Sequence, residues 1–248
     1  MLTGVLSDTD LLAELAKGAD SKVVITPFNR RQLSNTSYDV TLGNLYYRED
    51  EETKLEFFNP WHDEDRAALW EKQPREGFLI ETDADAKKYK ARKGDRVIIV
   101  PPRQTILAHT NEYLGGRVNV TTMMKARSTM GRCCVTVCKC AGWGDINYIN
   151  RWTMEIENTG PFPLVLLVGQ PIAQIVFLWA GTTSSPYEKK GSYQGSSDVE
   201  ELKAQWTPTA MLPRLKRLDL EDEKESATDA PPPTETPSAP GLELPAIP

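Results

Sequence analysis

Arg127-Ser-Thr-Met-Gly-Arg132, a cysteine-bearing run from Cys133 to Cys140, Ala141-Gly-Trp-Gly-Asp-Ile-Asn-Tyr148 and Glu155-Ile-Glu-Asn-Thr-Gly160 follow one another with little between them. Two arginines five positions apart, with the Ser128 hydroxyl and the turn amides around Gly131 between them, can supply the charge-assisted hydrogen bonds that a polyphosphate needs. In isolation the same pair reads equally well as solvated surface charge, since exposed arginines are common. The runs on either side are short and rich in β-branched residues, with a periodicity near two. They are Val23 to Ile25, Tyr38 to Leu42, Arg96 to Val100, Thr105 to Ala108, Val118 to Thr122, Cys133 to Cys140, Trp152 to Glu157, Leu164 to Val168 and Ile172 to Phe177. Pro101-Pro102, Gly115-Gly116, Gly160-Pro161 and Gly169 fall between them as strand breakers. The pattern predicts a mainly β barrel or sandwich.

Few helices are expected. Ser7 with Asp10 three residues later starts one as a capping box, Leu11, Leu12 and Leu15 share a face, and Gly18 ends it. The stretch 49–93 is charged and carries Asn59-Pro-Trp-His62, and reads as an insertion with one short helix near Ala67 to Lys72. With 248 residues, 40% of them apolar, the chain can bury one substantial core, placed in 1–216. The net charge of -6 resides in 217–248, which hold 8 acidic and 2 basic residues, with seven prolines in the last 18. That composition cannot repay its ordering entropy and predicts a disordered tail. The remainder is neutral, which argues against a nucleic-acid polymer as partner and for a small ligand held by a few local cations. No apolar run approaches a membrane span and the first residues lack a secretory pattern, so a soluble cytoplasmic protein is expected. Cys133, Cys134, Cys138 and Cys140 lie within eight positions and read as reduced, buried strand thiols.

In order and spacing these motifs resemble the family that holds dCTP deaminase and the trimeric dUTPases. Arg127 to Arg132 is similar to its phosphate motif and Ala141 to Tyr148 to its deoxyribose-binding turn. Ser37-Tyr-Asp-Val-Thr-Leu-Gly43 looks like the deaminase-type opening strand, and Gly169-Gln-Pro-Ile-Ala-Gln174 like a late hairpin. Pro186-Tyr187 and Tyr193-Gln-Gly195 resemble the segment that closes over nucleotide. The likeness runs from about residue 5 to 196 and leaves the insertion and tail unmatched. It implies a dUTPase-like distorted jelly roll, or β-clip barrel, with a short N-terminal helix, assembled as a homotrimer with sites between subunits. It implies dCTP as substrate, with dUTP as a further one and dTTP as regulator, and Mg2+ accompanying the triphosphate.

Hydrolytic deamination of cytosine needs water at C4, a base for its proton, and an acid for the ring and the departing ammonia. One carboxylate can shuttle both protons. Glu155 and Glu157 alternate onto the same strand face, so the pattern leaves both open; family spacing from Arg132 selects Glu155. The resemblance makes Glu155 the proton shuttle and has Ser128, Arg132 and the Ala141 backbone position the water. Around the substrate it places Lys125, Arg127, Thr129, Met130, Gly131, Asp145, Tyr148, Thr153, Met154, Tyr187, Lys190 and Gln194, with Asp145 and Tyr148 reading the sugar. The His-x-Glu and Pro-Cys-x-x-Cys signature of zinc deaminases is missing: His62 and His109 are the only histidines, and neither sits in such a pair. No zinc is expected.

The match has departures. Ala141-Gly142 is closer to dUTPases and bifunctional deaminases than to monofunctional ones, which opens the alternative of dUMP and pyrophosphate as products in place of dUTP. Ser192 stands where the family has a lysine, leaving Lys189 or Lys190 for its phosphate contact. Trp143 and Trp152 are bulky neighbours of the site. A third reading is a catalytically silent relative, a nucleotide sensor or protein-binding module whose acidic, proline-rich tail recruits a protein partner.

Overall fold

Residues 4–181, 183, 193 and 196–215 are described in the computed structural model, so Tyr187, Lys190, Gln194 and the tail fall outside the described residues. Residues 1–214 cluster as one unit and 215–248 as another. The chain runs β1 (Gly4–Val5), α1 (Asp8–Leu15), β2 (Val23–Thr26), β3 (Tyr38–Arg48), α2 (Asp63–Leu69), β4 (Arg75–Glu76), β5 (Phe78–Leu79), α3 (Asp83–Tyr89) and β6 (Arg96–Val100). It continues through β7 (Thr105–Gly116), β8 (Val120–Ala126), α4 (Ser128–Arg132), β9 (Val135–Thr136), β10 (Trp143–Gly144), β11 (Ile149–Asn158), β12 (Leu164–Leu167), β13 (Pro171–Trp179) and α5 (Val199–Gln205). The chain is mainly β, as its period-two runs predict.

One curled antiparallel sheet orders its strands β10-β8-β13-β3-β7-β11-β9, with β1 on β13, β2 on β7 and β4 on β3. A smaller sheet orders β12-β6-β5. The alternating inward residues of both, among them Tyr38, Val40, Leu42, Ile98, Val100, Ile106, Met124, Trp152, Met154, Ile156, Ile175 and Phe177, form the main core. The expected N-terminal helix forms: the Ser7 hydroxyl accepts from the Asp10 amide, the Asp10 side chain returns to the Ser7 amide, and Leu11 is fully buried.

Three expectations are corrected. The run from Cys133 to Cys140 is not a strand: only β9 is extended, because Cys134, Cys138 and Lys139 adopt left-handed backbone angles that turn the chain twice. Its thiols do not share one environment either, since Cys138 is buried while Cys133, Cys134 and Cys140 are exposed in the single chain. The insertion holds two helices rather than one, α2 and α3, with α2 starting earlier than expected, and β4 ties it into the main sheet beside β3.

Residues beyond 196 also pack on the sheet. Leu202 of α5 lies with Val24, Tyr113 and Ile149. The Trp206 ring sits 4.8 Å from that of His109, with the Arg151 guanidinium 4.9 Å from the indole centroid. Met211 joins Tyr47, Leu107 and the insertion's Trp70 in a third apolar cluster. The insertion and the segment after residue 196 thus cover one face of β7 and β11.

Candidate active site

β11 carries Arg151, Thr153, Glu155 and Glu157 on the face opposite the core residues Trp152, Met154 and Ile156. Pairing with β7 sets Thr153 against His109, Glu155 against Leu107 and Glu157 against Thr105. On its other side β11 pairs only with β9, Glu157 with Thr136 and Asn158 with Val135, so among the described residues no strand lies alongside Glu155 there. The carboxylate stands at an edge, next to an apolar neighbour that Trp70 and Met211 pack against.

Burial is the larger influence on Glu155 and raises its pKa, while a bond from its own backbone and the Lys139 ammonium lower it. Among the described residues its Oε2 is buried with no hydrogen-bond partner, and so is Thr136 Oγ1 on the same face. Two orphaned polar atoms on one face mark a place for a polar ligand or water. The Lys139 ammonium crosses this face, 3.1 Å from Thr105 Oγ1 and 3.6 Å from Glu157 Oε2. Cys138, next to it, is pushed up by burial and further by the Glu155 charge, and its Sγ lies 3.3 Å from Met124 Sδ.

The arginine-serine turn forms as the one-turn helix α4, with Arg127 at its N-cap position. It is fastened to the far end of the glutamate strand, because the Cys134 carbonyl accepts from both the Thr159 amide (2.9 Å) and its hydroxyl (3.0 Å) before β9 joins β11. Arg132 Nη1 donates to Ser128 Oγ at 3.4 Å. Arg127 Nε lies 3.4 Å from Asp39 Oδ1, tying the helix to β3. Asp39, Gln174 and Lys125 stand in register across β3, β13 and β8, so the expected opening strand, late hairpin and phosphate turn converge. Lys125, Ser128, Thr129, Gly131 and Arg132 are exposed in the single chain.

The 141–148 turn is held by backbone. The Ala141 amide donates to the Cys138 carbonyl at 2.6 Å, the Met124 amide to the Gly142 carbonyl at 2.7 Å, and the Tyr148 amide to the Asp145 carbonyl at 3.0 Å. A Cβ on Gly142 would stand 2.2 Å from the Met124 carbonyl oxygen, so only glycine lets β10 approach β8 there. Tyr148 meets Trp152 edge-on at 5.3 Å, which accounts for that tryptophan as core rather than pocket. Asp145, Ala141 and Trp143 are exposed. Met154 is fully buried on the core side and Met130 packs against the same core, so neither side chain shares the Glu155 face. Lys139 and Thr136 went unnoticed in the sequence, since nothing in the pattern signals that Cys138 and Lys139 reverse the chain. Among the described residues no group of three His, Cys, Asp or Glu could hold a metal ion, and no helix is long and apolar enough to cross a membrane.

Fold and site together define a mainly β protein in which a short arginine-serine helix is strapped to a strand bearing a glutamate with one buried, unbonded carboxylate oxygen. The family described as dCTP deaminase-like matches residues 5–179, and the chain belongs to it. It is an enzyme family in its curated members. A "dCTP deaminase, dUMP-forming" of Beutenbergia cavernae is 26% identical over 86% of this chain and 96% of its own. One of Acidothermus cellulolyticus with the same name is 29% identical over 74% and 83%. The solved 2'-deoxycytidine 5'-triphosphate deaminase of Agrobacterium tumefaciens superposes with a TM-score of 0.49 at 16% identity, over 73% of this chain and 49% of that one.

Proposed function

We propose that the protein deaminates dCTP by hydrolysis and carries the uracil nucleotide on to dUMP and pyrophosphate. The observation that carries this reading is Glu155, a carboxylate whose buried Oε2 lacks a partner and whose proton affinity is raised by burial. A carboxylate of that kind takes a proton from water and returns it to the ring and then to ammonia. Attack of the water oxygen on C4 forms a tetrahedral carbon; its collapse breaks the C4–N bond and releases NH3, with Glu155 moving each proton. Ser128 and Arg132 orient the water and the phosphates, Arg127 and Lys125 add positive charge, and Asp145 and Tyr148 read the sugar. The exposure of Ser128, Thr129, Gly131, Arg132, Ala141, Trp143 and Asp145 in one chain suits a site completed by neighbouring subunits of a homotrimer.

The Ala141-Gly142 opening and the dUMP-forming names of the relatives favour dUMP over free dUTP. Magnesium would arrive on the triphosphate oxygens as part of the substrate, as is usual for nucleotide sites. Release of dUTP is the second reading, on the strength of the deaminase-type Glu155 setting. Purified protein incubated with dCTP, and separately with dUTP, and analysed for ammonia, dUTP, dUMP and pyrophosphate separates the two. Glu155→Gln should release no ammonia yet bind dCTP; ammonia formation at the native rate would overturn the assignment.

A further inference from the structure

Lys139 belongs to no motif that the sequence brings into the site, yet it reaches the face of Glu155. Cys138 and Lys139 take φ values of +60° and +41°, conformations that cost non-glycine residues free energy and are retained where the surroundings enforce them. The reversal sends the Lys139 side chain back across β9 and β11. Its ammonium is held at two points, Thr105 Oγ1 at 3.1 Å and Glu157 Oε2 at 3.6 Å, both in the row next to that of Glu155. On one face of a strand, residues two apart stand within electrostatic reach of a group lying over either. Glu155 therefore faces one braced cation, beside a buried hydroxyl, Thr136 Oγ1, that has no partner.

We propose that Lys139, braced by Thr105 and Glu157, is a positioning residue that keeps Glu155 ionised and ready to take the proton of the attacking water. This rests on the reading of Glu155 as the proton shuttle. Among the described residues the other charged or titratable groups around that carboxylate are Glu157 on its own strand, Cys138 on the loop of Lys139 and, through Cys138, Lys125 of β8; His109 of β7 sits one row away beside Thr153. Glu157 is like-charged, Cys138 stays a thiol, and His109 is neutral at physiological pH. Lys139 is then the cation whose removal Glu155 should register.

The test is a carbon-detected NMR titration of the Glu155 carboxyl in the full-length protein, its resonance assigned by loss in Glu155→Gln, alongside pH profiles of ammonia release from dCTP. Lys139→Met should raise the Glu155 midpoint, since the lost cation stands one row away and favours the ionised carboxylate. The acid limb of kcat should move up by the same amount while KM for dCTP changes less than twofold. Lys139→Arg should restore both, and Thr105→Val should shift the midpoint part of the way. A Glu155 midpoint unmoved in Lys139→Met, with the amide spectrum unchanged, overturns the proposal; if that variant misfolds, an unmoved midpoint in Thr105→Val does so. Native protein that releases no ammonia while the titration shifts as stated removes the deaminase reading and, with it, the catalytic purpose of Lys139, and leaves its hold on the Glu155 charge standing.

Discussion

Acidification should loosen this fold through His109, and by an amount the structure sets. The ring is 2% exposed, under Trp206 and one row from Glu155. Its Nδ1 lies 2.8 Å from the Thr110 carbonyl, which can only accept, so Nδ1 carries the proton and Nε2 is left to accept from the Leu45 amide at 3.3 Å. A second proton would set donor against donor at Nε2 and place a charge beside the Arg151 guanidinium. Burial foremost, then Arg151, holds the imidazole down to about 4 against an ordinary 6.5, with the Thr110 bond acting the other way. The unfolded chain therefore takes up the proton before the folded one. The stability from this group is complete above pH 6.5, falls as pH drops, and is exhausted near pH 4. At ~1.4 kcal/mol per unit the loss totals about 3 kcal/mol, of which about 2 kcal/mol is gone by pH 5. Urea denaturation at pH 7.5, 6 and 5, at fixed protein concentration, should show native protein losing that much more than His109→Gln. Parallel curves for the two proteins would refute the claim that the fold keeps His109 neutral.

Glu155→Gln should raise the urea midpoint at pH 7.5 while ending ammonia release, because the native side chain is ionised at the expense of burial; the gain should shrink as pH falls and Glu155 takes up its proton. Gly142→Ala sets a Cβ against the Met124 carbonyl oxygen, a backbone atom that cannot swing aside, and should cost about 2 kcal/mol in urea unfolding and at least tenfold in kcat/KM for dCTP. Trp206→Ala removes the ring over His109 and Arg151 and should cost about 2 kcal/mol. It should also speed hydrogen exchange in 199–211 more than in β8 or β13.

Strand positions were legible where one face is buried and the other is not: β6 coincides with its predicted run, and β2, β3, β11 and β13 extend theirs by one to six residues at an end. Local chemistry sufficed for α1, whose capping box needs four consecutive residues. Where the outcome depended on distant partners, sequence reasoning failed. Gly115-Gly116 reads as a breaker, yet both residues are the last of β7, kept small because the Tyr148 and Val120 carbonyls pass within 2.1 Å of where their Cβ atoms would be. The cysteine run alternates well enough to pass for a strand, and only the left-handed residues at 134, 138 and 139 reveal that it bends around the edge of β11. The choice between Glu155 and Glu157 could not be made from alternation. The structure separates them by surroundings: Glu157 lies beside Lys139 and opposite Thr136, whereas Glu155 has lost its strand neighbour and kept an unbonded oxygen.

That separation bears on how one carboxylate can serve as base and then as acid. A glutamate paired within a sheet has its proton affinity fixed by its cross-strand partner, and a fully solvated one stays near its ordinary value; neither holds a proton well in mid-reaction. Glu155 sits where β9 gives out, so one side of β11 is a packed sheet that desolvates it and, among the described residues, no strand lies on the other. Leu107 supplies the apolar neighbour, and behind Leu107 stand Trp70 from the insertion and Met211 from the segment after α5. The insertion and the segment after α5 therefore reach the site through packing, by keeping water from the sheet face behind the carboxylate. Trp70→Ala and Met211→Ala should accordingly lower the Glu155 midpoint in the NMR titration as solvent enters. A midpoint that stayed in place in both, with Leu107 exposed, would show that the desolvation comes from β9 and its loop alone.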